Sequence, residues 1–121
     1  HKNVYFLNLQ NEEDQIFVHK LIQDADVVIS NFRQDSAQKM RMDYDYLKTL
    51  NPKLIFGQIT GFGEKDDTPA FDVVLQAEAG FLYMTGEPGR EPVKMPVALI
   101  DLLAAHQLKE GILLALLHLY K

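Results

Sequence analysis

One carboxylate in a long apolar segment is the residue of this sequence with the clearest chemical potential. The segment from Leu99 to Tyr120 contains no proline and is rich in leucine and alanine, which predicts a helix of about six turns. At helical spacing, Asp101 falls in the middle of the apolar side of this helix. That side comprises Ala105, Leu108, Ile112, Ala115 and Leu119. A carboxylate that faces a core is unfavourable unless something compensates it, so Asp101 is a candidate functional residue.

Asp101 also has an ordinary structural explanation. Aspartate is favoured at the N-cap and in the first turn of helices. Asp101 lies shortly after Pro96, near the predicted start of the helix. The helical pattern by itself favours this capping role, and a functional role depends on what the rest of the chain indicates.

The composition is that of an ordinary globular domain. The chain has 121 residues, of which 47% are hydrophobic and 24% charged, and this favours a single domain over a disordered segment. The net charge of -5 argues against general nucleic-acid binding, since phosphate contacts need a basic surface. The absence of cysteine excludes disulfides and thiolate chemistry. We expect a cytoplasmic protein with no signal peptide and no membrane partner.

Other residue types that often form sites are poorly arranged for it here. The four histidines lack a carboxylate partner at ligand spacing, so we expect no metal site. Gly61 and Gly63 lack the third glycine of a dinucleotide-binding motif, and a turn is favoured there. Arg33, Lys39 and Arg41 form a basic cluster that either is solvated or binds an anion near the end of a strand.

Strands and helices alternate through the first half of the chain. Runs of β-forming residues predict strands at 3–9, 26–30 and 54–59. The amphipathic segments between them predict two helices, the first capped by Asn11 and the second by Asp43. This order predicts an α/β fold with a parallel sheet and helices that connect its strands.

The carboxyl ends of the strands are the expected location of a ligand. In open parallel sheets, ligands bind beyond these ends. The rule selects the loops at 8–10, 31–33 and 60–63. After the third strand we expect an exposed loop at 64–68, a short helix at about 71–79 and a turn-rich stretch at 85–92.

A series of short motifs, in a fixed order, runs through the same regions. They are Asn31-Phe32-Arg33, Asn51-Pro52-Lys53-Leu54-Ile55, Gly61-Phe62-Gly63, Phe71-Asp72, Gln76-Ala77, Thr85-Gly86-Glu87-Pro88, Pro92-Val93-Lys94 and Asp101-Leu102. In order and spacing, over nearly all of the chain, they resemble the class III CoA-transferases, the CaiB/BaiF family. The resemblance implies a Rossmann-like parallel sheet with flanking helices. Residues 1–121 would form one partial domain from the family's N-terminal large domain.

The resemblance implies an enzyme that moves CoA from an acyl-CoA donor to a carboxylic acid acceptor. In the family, the aspartate after the Pro-Val-Lys segment attacks the thioester, and Asp101 occupies this position. A mixed acyl-aspartyl anhydride forms first, the CoA thiolate then produces an aspartyl-CoA thioester, and the acceptor carboxylate forms a second anhydride. Coenzyme A and acyl-CoA are thus substrates, and no permanently bound cofactor is expected.

The resemblance also assigns the contacts with CoA to four parts of the chain. These residues are Leu7, Asn8, Leu9, Gln10, Asn31, Phe32, Arg33, Lys39, Thr68, Pro69, Ala70 and Phe71. Lys39 stands where many relatives have arginine, which keeps the charge but loses the bidentate contact with phosphate. Gln34 and Asp35 replace the usual Pro-Gly, so a different local turn is expected.

Two other functions stay open at this point. Racemases of the same family act on α-methylacyl-CoA, need two acid-base groups, and carry histidine immediately before the aspartate that corresponds to Asp72. Phe71 occupies that position and cannot transfer a proton, which favours the transferase. The other alternative is a non-catalytic module for CoA binding or dimerisation, in which Asp101 is only a helix cap.

The family's complete subunit is much longer than this chain and forms an interlocked homodimer. By this resemblance, we expect residues 1–121 not to include the family's first strand and helix, its later glycine-rich loop or its small domain. We therefore expect a homodimer for the complete protein, whereas this segment alone folds in part and transfers CoA poorly or not at all. The donor and acceptor acids are not defined, since the residues that bind the acyl group are expected outside this segment.

Overall fold

The structure is a computed structural model that describes residues 1–63, 66 and 68–121. The exposed loop expected at 64–68 therefore lies in part outside the described residues. Helices and strands occur in the order α1 (Glu12–Gln23), β1 (Val27–Ser30), α2 (Gln34–Lys39), α3 (Tyr44–Leu50), β2 (Ile55–Gln58), α4 (Asp72–Glu78), α5 (Phe81–Met84) and α6 (Leu99–Leu119).

The two strands form a parallel sheet. Val27 pairs with Ile55 and Ser30 pairs with Gln58, so the carboxyl ends of β1 and β2 lie side by side. A parallel pair needs a crossover connection, which α2 and α3 supply. The α/β class with a parallel sheet and flanking helices is confirmed.

The strand expected at 3–9 is wrong. Residues 1–8 have no regular secondary structure, and the described sheet has two strands. Val4 is 73% exposed and Phe6 is 96% exposed, so these β-forming side chains pack against neither the sheet nor the core in the described part of the chain. The preference of such residues for strands depends on that packing. Without it, the run remains irregular.

The predicted starts of the helices capped by Asn11 and Asp43 are confirmed. The Asn11 side chain accepts a hydrogen bond of 3.1 Å from the amide of Glu13 in the first turn of α1. The Asp43 side chain accepts one of 3.1 Å from the amide of Tyr46 at the start of α3. Each side chain satisfies an amide that has no partner within its own helix, and such caps typically stabilise a protein by about 1 kcal/mol.

The core is small and lies between α1, α3 and the sheet. Its buried apolar cluster consists of Ile22, Met42, Leu47 and Leu54. Directly after α3, the Nδ2 of Asn51 donates to the carbonyl oxygens of Ile22, at 3.1 Å, and Ala25, at 2.8 Å. Because β1 and β2 follow closely after these two helix ends, the Asn51 amide also fixes where the strands begin.

The last helix, α6, has the bounds that the sequence predicts to within one residue, and it packs on β2. The side that packs contains Ile100, Ala104, Leu108 and Ile112. Five leucines elsewhere on the helix are at least half exposed: Leu102, Leu103, Leu113, Leu114 and Leu117. In the part of the chain that the structure describes, no helix is both long and apolar enough to cross a membrane.

Candidate active site

A cleft of about 860 Å³ opens beside the carboxyl ends of β1 and β2. Its walls come from the loops after β1 and β2, the segment that leads into α4, one side of α4 and the first turns of α6. The loops at 31–33 and 60–63, selected from the topology of the sheet, both line it. The loop at 8–10 does not.

The loop after β1 is held from both strand ends. The Oγ of Ser30, a buried residue, accepts a hydrogen bond of 3.2 Å from the amide of Phe32. The Nε2 of Gln58 donates to the carbonyl oxygen of Phe32 at 3.3 Å. The last residues of the paired strands thereby fix the backbone of Phe32, and with it the position of Asn31 and Arg33 at the cleft.

The loop after β2 forms a turn, as the sequence predicts. The Oγ1 of Thr60 accepts a hydrogen bond of 3.1 Å from the amide of Gly63, which has a positive φ of 97°. A Cβ at Gly61 would collide with the Cβ of Ala70. The first glycine thus permits a close approach between this loop and the segment before α4.

The segment before α4 brings four of the expected site residues to the cleft. Thr68, Pro69, Ala70 and Phe71 all line it. The amide of Thr68 donates to Oδ1 of Asp66 at 2.8 Å. Hydrogen bonds from the side chain and the amide of Thr68 hold the pKa of Asp66 below its ordinary value. Phe71 is 71% exposed, so its ring is available to a ligand.

Asp101 lines the same cleft, in the first turn of α6, and is exposed. Its expected place on the packed side of the helix is therefore wrong. The residues that pack are Ile100 and Ala104, each one position earlier than Asp101 and Ala105. Leucine and alanine residues are distributed around most of the circumference of α6. The pattern of apolar residues therefore did not distinguish the side of the helix that meets β2 from the adjacent side.

The start of α6 is capped by a residue from another helix. The N-cap position is Ala98, which has no capping side chain. Instead, Oδ1 of Asp72 accepts hydrogen bonds from the amides of Ile100, at 2.8 Å, and Asp101, at 3.2 Å. Asp101 is a first-turn residue, as the sequence allowed, but it is not the cap. Sequence analysis singled out Asp72 as part of a motif and missed this role.

Asp35 forms ion pairs with Arg33 and Lys39, two residues of the basic cluster. Its carboxylate lies 3.6 Å from Nε of Arg33 and 3.8 Å from Nζ of Lys39. Burial acts to raise the pKa of Asp35, but hydrogen bonds from Ser36 and the charges of Arg33 and Lys39 leave that pKa below its ordinary value. Gln34 and Asp35 lie in the first turn of α2.

Five of the expected site residues lie outside the cleft. They are Leu7, Asn8, Leu9, Gln10 and Lys39. The first four fold onto the start of α1, where the amide of Asn8 donates to Asp14 at 2.8 Å and Nε2 of Gln15 donates to the carbonyl oxygen of Leu9 at 2.7 Å. The third basic residue, Arg41, lies over the ring of Tyr46 at 5.9 Å.

The class of the protein follows from this geometry. It is a mixed α/β protein with parallel strands whose carboxyl ends, together with the start of a long helix, enclose a cleft with an exposed carboxylate. The family follows from comparison with known proteins. The model of CoA-transferase family III matches residues 1–121, and the chain belongs to this family. The resemblance found in the sequence is confirmed.

Relatives of known activity support the same assignment. The chain is 40% identical, over 114 residues, to the succinate–glutarate CoA-transferase of Agrobacterium fabrum. The aligned region covers 92% of this chain and 28% of that protein. It is 34% identical, over 119 residues, to the succinyl-CoA:mesaconate CoA-transferase of Haloarcula marismortui. This alignment covers 93% of this chain and 30% of that protein. The chain thus spans less than a third of the length of these relatives.

Solved structures share the fold. A crystal structure of Rv3272 from Mycobacterium tuberculosis superposes with a TM-score of 0.85 at 32% identity, covering 93% of this chain and 32% of that one. A CaiB/BaiF family protein from Brucella suis superposes with a TM-score of 0.79 at 35% identity, covering 89% of this chain and 30% of that one.

Proposed function

We propose that the complete protein transfers CoA from an acyl-CoA donor to a carboxylic acid acceptor, with Asp101 as the nucleophile. The observation that carries this proposal is the exposed Asp101 carboxylate in the cleft at the strand ends. Membership of CoA-transferase family III supports the same activity. The names of two relatives, which refer to succinate, glutarate, succinyl-CoA and mesaconate, suggest short dicarboxylic acids as the first substrates to test.

The proposed reaction proceeds by covalent catalysis. A carboxylate oxygen of Asp101 attacks the thioester carbon, the carbon–sulfur bond breaks, and CoA leaves as the thiolate. The thiolate attacks the aspartyl carbon of the resulting anhydride, forms an aspartyl-CoA thioester and releases the donor acid. The acceptor carboxylate then displaces the thiolate and forms a second anhydride. Attack of the thiolate on its acyl carbon yields the new acyl-CoA and regenerates Asp101.

The position of Asp101 suits a nucleophile. The positive end of the helix dipole stabilises an anion in the first turn of α6. The amides of Ile100 and Asp101 are already satisfied by Asp72, so the Asp101 carboxylate is not needed as a cap. Its exposure in the cleft leaves an oxygen within reach of a substrate.

Loop residues at the cleft are proposed to hold CoA. Arg33 supplies a guanidinium for a phosphate group, and Phe32 and Phe71 offer apolar surface to the rest of the molecule. Contacts from Leu7–Gln10 and from Lys39 remain predictions from the resemblance. Because Phe71 has no acid-base group, we favour the transferase over the racemase, for which deuterium exchange at the α-carbon of a branched acyl-CoA would be the sign.

The complete protein is proposed to be a cytoplasmic homodimer, as the resemblance implies. Light scattering of the purified protein measures the subunit number. By the same argument, residues 1–121 expressed alone should transfer CoA poorly or not at all.

Trapping of the covalent intermediate tests the proposed chemistry. The complete protein is incubated with succinyl-CoA, treated with hydroxylamine and digested for mass spectrometry. We expect the peptide that carries Asp101 to gain the mass of the hydroxamate, because anhydrides and thioesters of a carboxylate react with this nucleophile. An unmodified Asp101 in a protein that still converts the substrates would refute the mechanism.

Replacing Asp35 tests the role of the basic residues in binding. Asp35→Asn removes the charge that holds Arg33 and Lys39, and both become more available to phosphate groups. Since exposed ion pairs are weak, we expect CoA to bind about two- to fivefold more tightly at low salt, measured by titration calorimetry.

The matched control for this change is Asp45→Asn in α3. Asp45 forms a similar exposed pair with Lys48, at 2.7 Å, and lies outside the cleft. It should leave the affinity for CoA unchanged. Equal affinities for all three proteins would show that Arg33 and Lys39 do not meet the phosphate groups of CoA.

A further inference from the structure

Buried Gln76, in α4, links this helix to the segment before α6. Gln76 is only 1% exposed, yet both the oxygen and the nitrogen of its side-chain amide form hydrogen bonds. Oε1 accepts a hydrogen bond of 2.9 Å from the amide of Met95. Nε2 donates to the carbonyl oxygen of Val97 at 3.2 Å and also to Oδ2 of Asp72. A buried amide with all its partners holds them in one arrangement.

The hydrogen bonds continue from Gln76 to the candidate nucleophile. While Oδ2 of Asp72 accepts from Gln76, Oδ1 of the same carboxylate accepts from the amides of Ile100 and Asp101. The segment before α6 and the first turn of α6 are therefore both tied to α4. We call this chain of hydrogen bonds, from Gln76 through Asp72 to the amides of Ile100 and Asp101, the tether. It ends at the backbone of Asp101 and leaves the Asp101 side chain in the cleft.

We infer that Gln76 is a positioning residue that sets the place of Asp101 through Asp72, an inference that rests on the proposed function. The geometry requires an amide specifically. The Met95 amide needs an acceptor, whereas the Val97 carbonyl and the Asp72 carboxylate need two donors, and glutamine supplies this combination. A glutamate would lack the donors, and a methionine of similar size would satisfy none of the three partners.

Gln76→Met in the complete protein is the first test. A reacting group displaced by about 1 Å can cost on the order of 100-fold in rate, so we expect kcat to fall by about 10- to 100-fold. The KM for succinyl-CoA should change less than kcat, since Asn31 and Arg33 are held by the strand ends. Gln107→Met is the matched control, because Gln107 is exposed on α6 and should behave as wild type.

Hydrogen exchange supplies a readout that does not depend on activity. In Gln76→Met, the amides of Ile100 and Asp101 should exchange faster than in wild type. The amides of Leu108 and Ile112, where α6 packs on β2, should keep their protection. This local pattern would identify a tether at the start of the helix.

A pair of substitutions tests the direction of the hydrogen bond. Gln76→Glu opposes two carboxylates and should lower kcat at least as much as Gln76→Met. Adding Asp72→Asn restores a donor between the two side chains and keeps an oxygen for the amides of Ile100 and Asp101, so part of kcat should return.

Three outcomes would overturn the inference. The first is a kcat for Gln76→Met equal to that of Gln107→Met. The second is loss of CoA binding with faster exchange throughout the chain, which indicates a structural role alone. The third is the absence of recovery in the double variant. If wild type forms no Asp101 adduct, the proposed function fails, and exchange at Ile100 and Asp101 still decides whether the tether exists.

Discussion

Replacing Asp101 by asparagine should abolish CoA transfer by the complete protein while its stability and its affinity for CoA stay close to wild type. Asparagine has nearly the shape of aspartate, but its neutral amide cannot open a thioester. Loss of a covalent nucleophile typically costs orders of magnitude, and we expect kcat to fall by about 1,000-fold or more. Steady-state assays with succinyl-CoA and a short dicarboxylic acid measure the change.

Stability should survive this change because the start of α6 does not depend on Asp101. Asp72 accepts the hydrogen bonds from the first-turn amides, at 2.8 Å and 3.2 Å. The Asp101 side chain is exposed, and exposed substitutions are usually within about 0.5 kcal/mol of neutral. The catalytic role and the capping role thus belong to different residues. A substitution of Asp101 should lower activity, whereas a substitution of Asp72 should lower stability. Asp72 caps the helix, and we propose that Asp101 carries out the reaction.

The control is another aspartate in the first turn of a helix. Asp45→Asn makes the same change in α3, outside the cleft, and should retain full activity. Full turnover by Asp101→Asn would exclude this residue as the nucleophile. A wild-type protein that binds CoA but transfers none of it would instead support the non-catalytic module.

The parts of the fold that the sequence predicted correctly are those with local causes. Asn11 and Asp43 cap helices because their side chains reach amides two or three residues away. The prediction of a strand at 3–9 was wrong because strand formation depends on pairing with a neighbouring strand, which the residues of the segment itself do not reveal. The short helix α5 was missed for a related reason, since Phe81–Met84 is only one turn long and has no periodicity to recognise.

The candidate site was predictable where topology determines it. Parallel strands place their carboxyl ends at one edge, which is why the loops at 31–33 and 60–63 were identified before the structure. The link from Asp72 to Asp101 was not predictable, because it spans 29 residues and depends on how α4 packs against α6. The motif pieces Phe71-Asp72 and Gln76-Ala77 indicated that these positions matter without indicating the contacts.

A methyl group added at Gly57 should have the opposite effect on stability from one added at Gly111. A Cβ at Gly57, on β2, would lie 2.7 Å from Cδ1 of Leu108 and 3.3 Å from Cδ1 of Ile112. The same change at Gly111, on α6, meets no atom of another described segment within 4 Å. The two positions thus separate the effect of crowding from that of the substitution itself.

Gly57→Ala is expected to destabilise the protein. Overpacking typically costs about 1 to 3 kcal/mol of unfolding free energy. The crowded atom here is the end of the flexible Leu108 side chain, so we expect the low end of this range, about 1 kcal/mol, as Leu108 changes rotamer or α6 moves. Gly111→Ala should instead stabilise by about 0.5 to 1 kcal/mol, since alanine loses less backbone entropy in a helix. Urea unfolding followed by circular dichroism measures both changes.

The same pair of variants connects the packing of α6 with catalysis. If α6 shifts on β2 in Gly57→Ala, Asp101 moves with it relative to the loops that we propose to hold CoA, because those loops begin at the ends of β1 and β2. A displacement near 1 Å can cost on the order of 100-fold in rate, so kcat should fall in Gly57→Ala and stay at the wild-type value in Gly111→Ala. Equal stability and equal kcat in the two variants would mean that the contact of Gly57 with Leu108 does not fix the nucleophile. A loss of kcat confined to Gly57→Ala would establish that the strand positions the carboxylate through the helix that it supports.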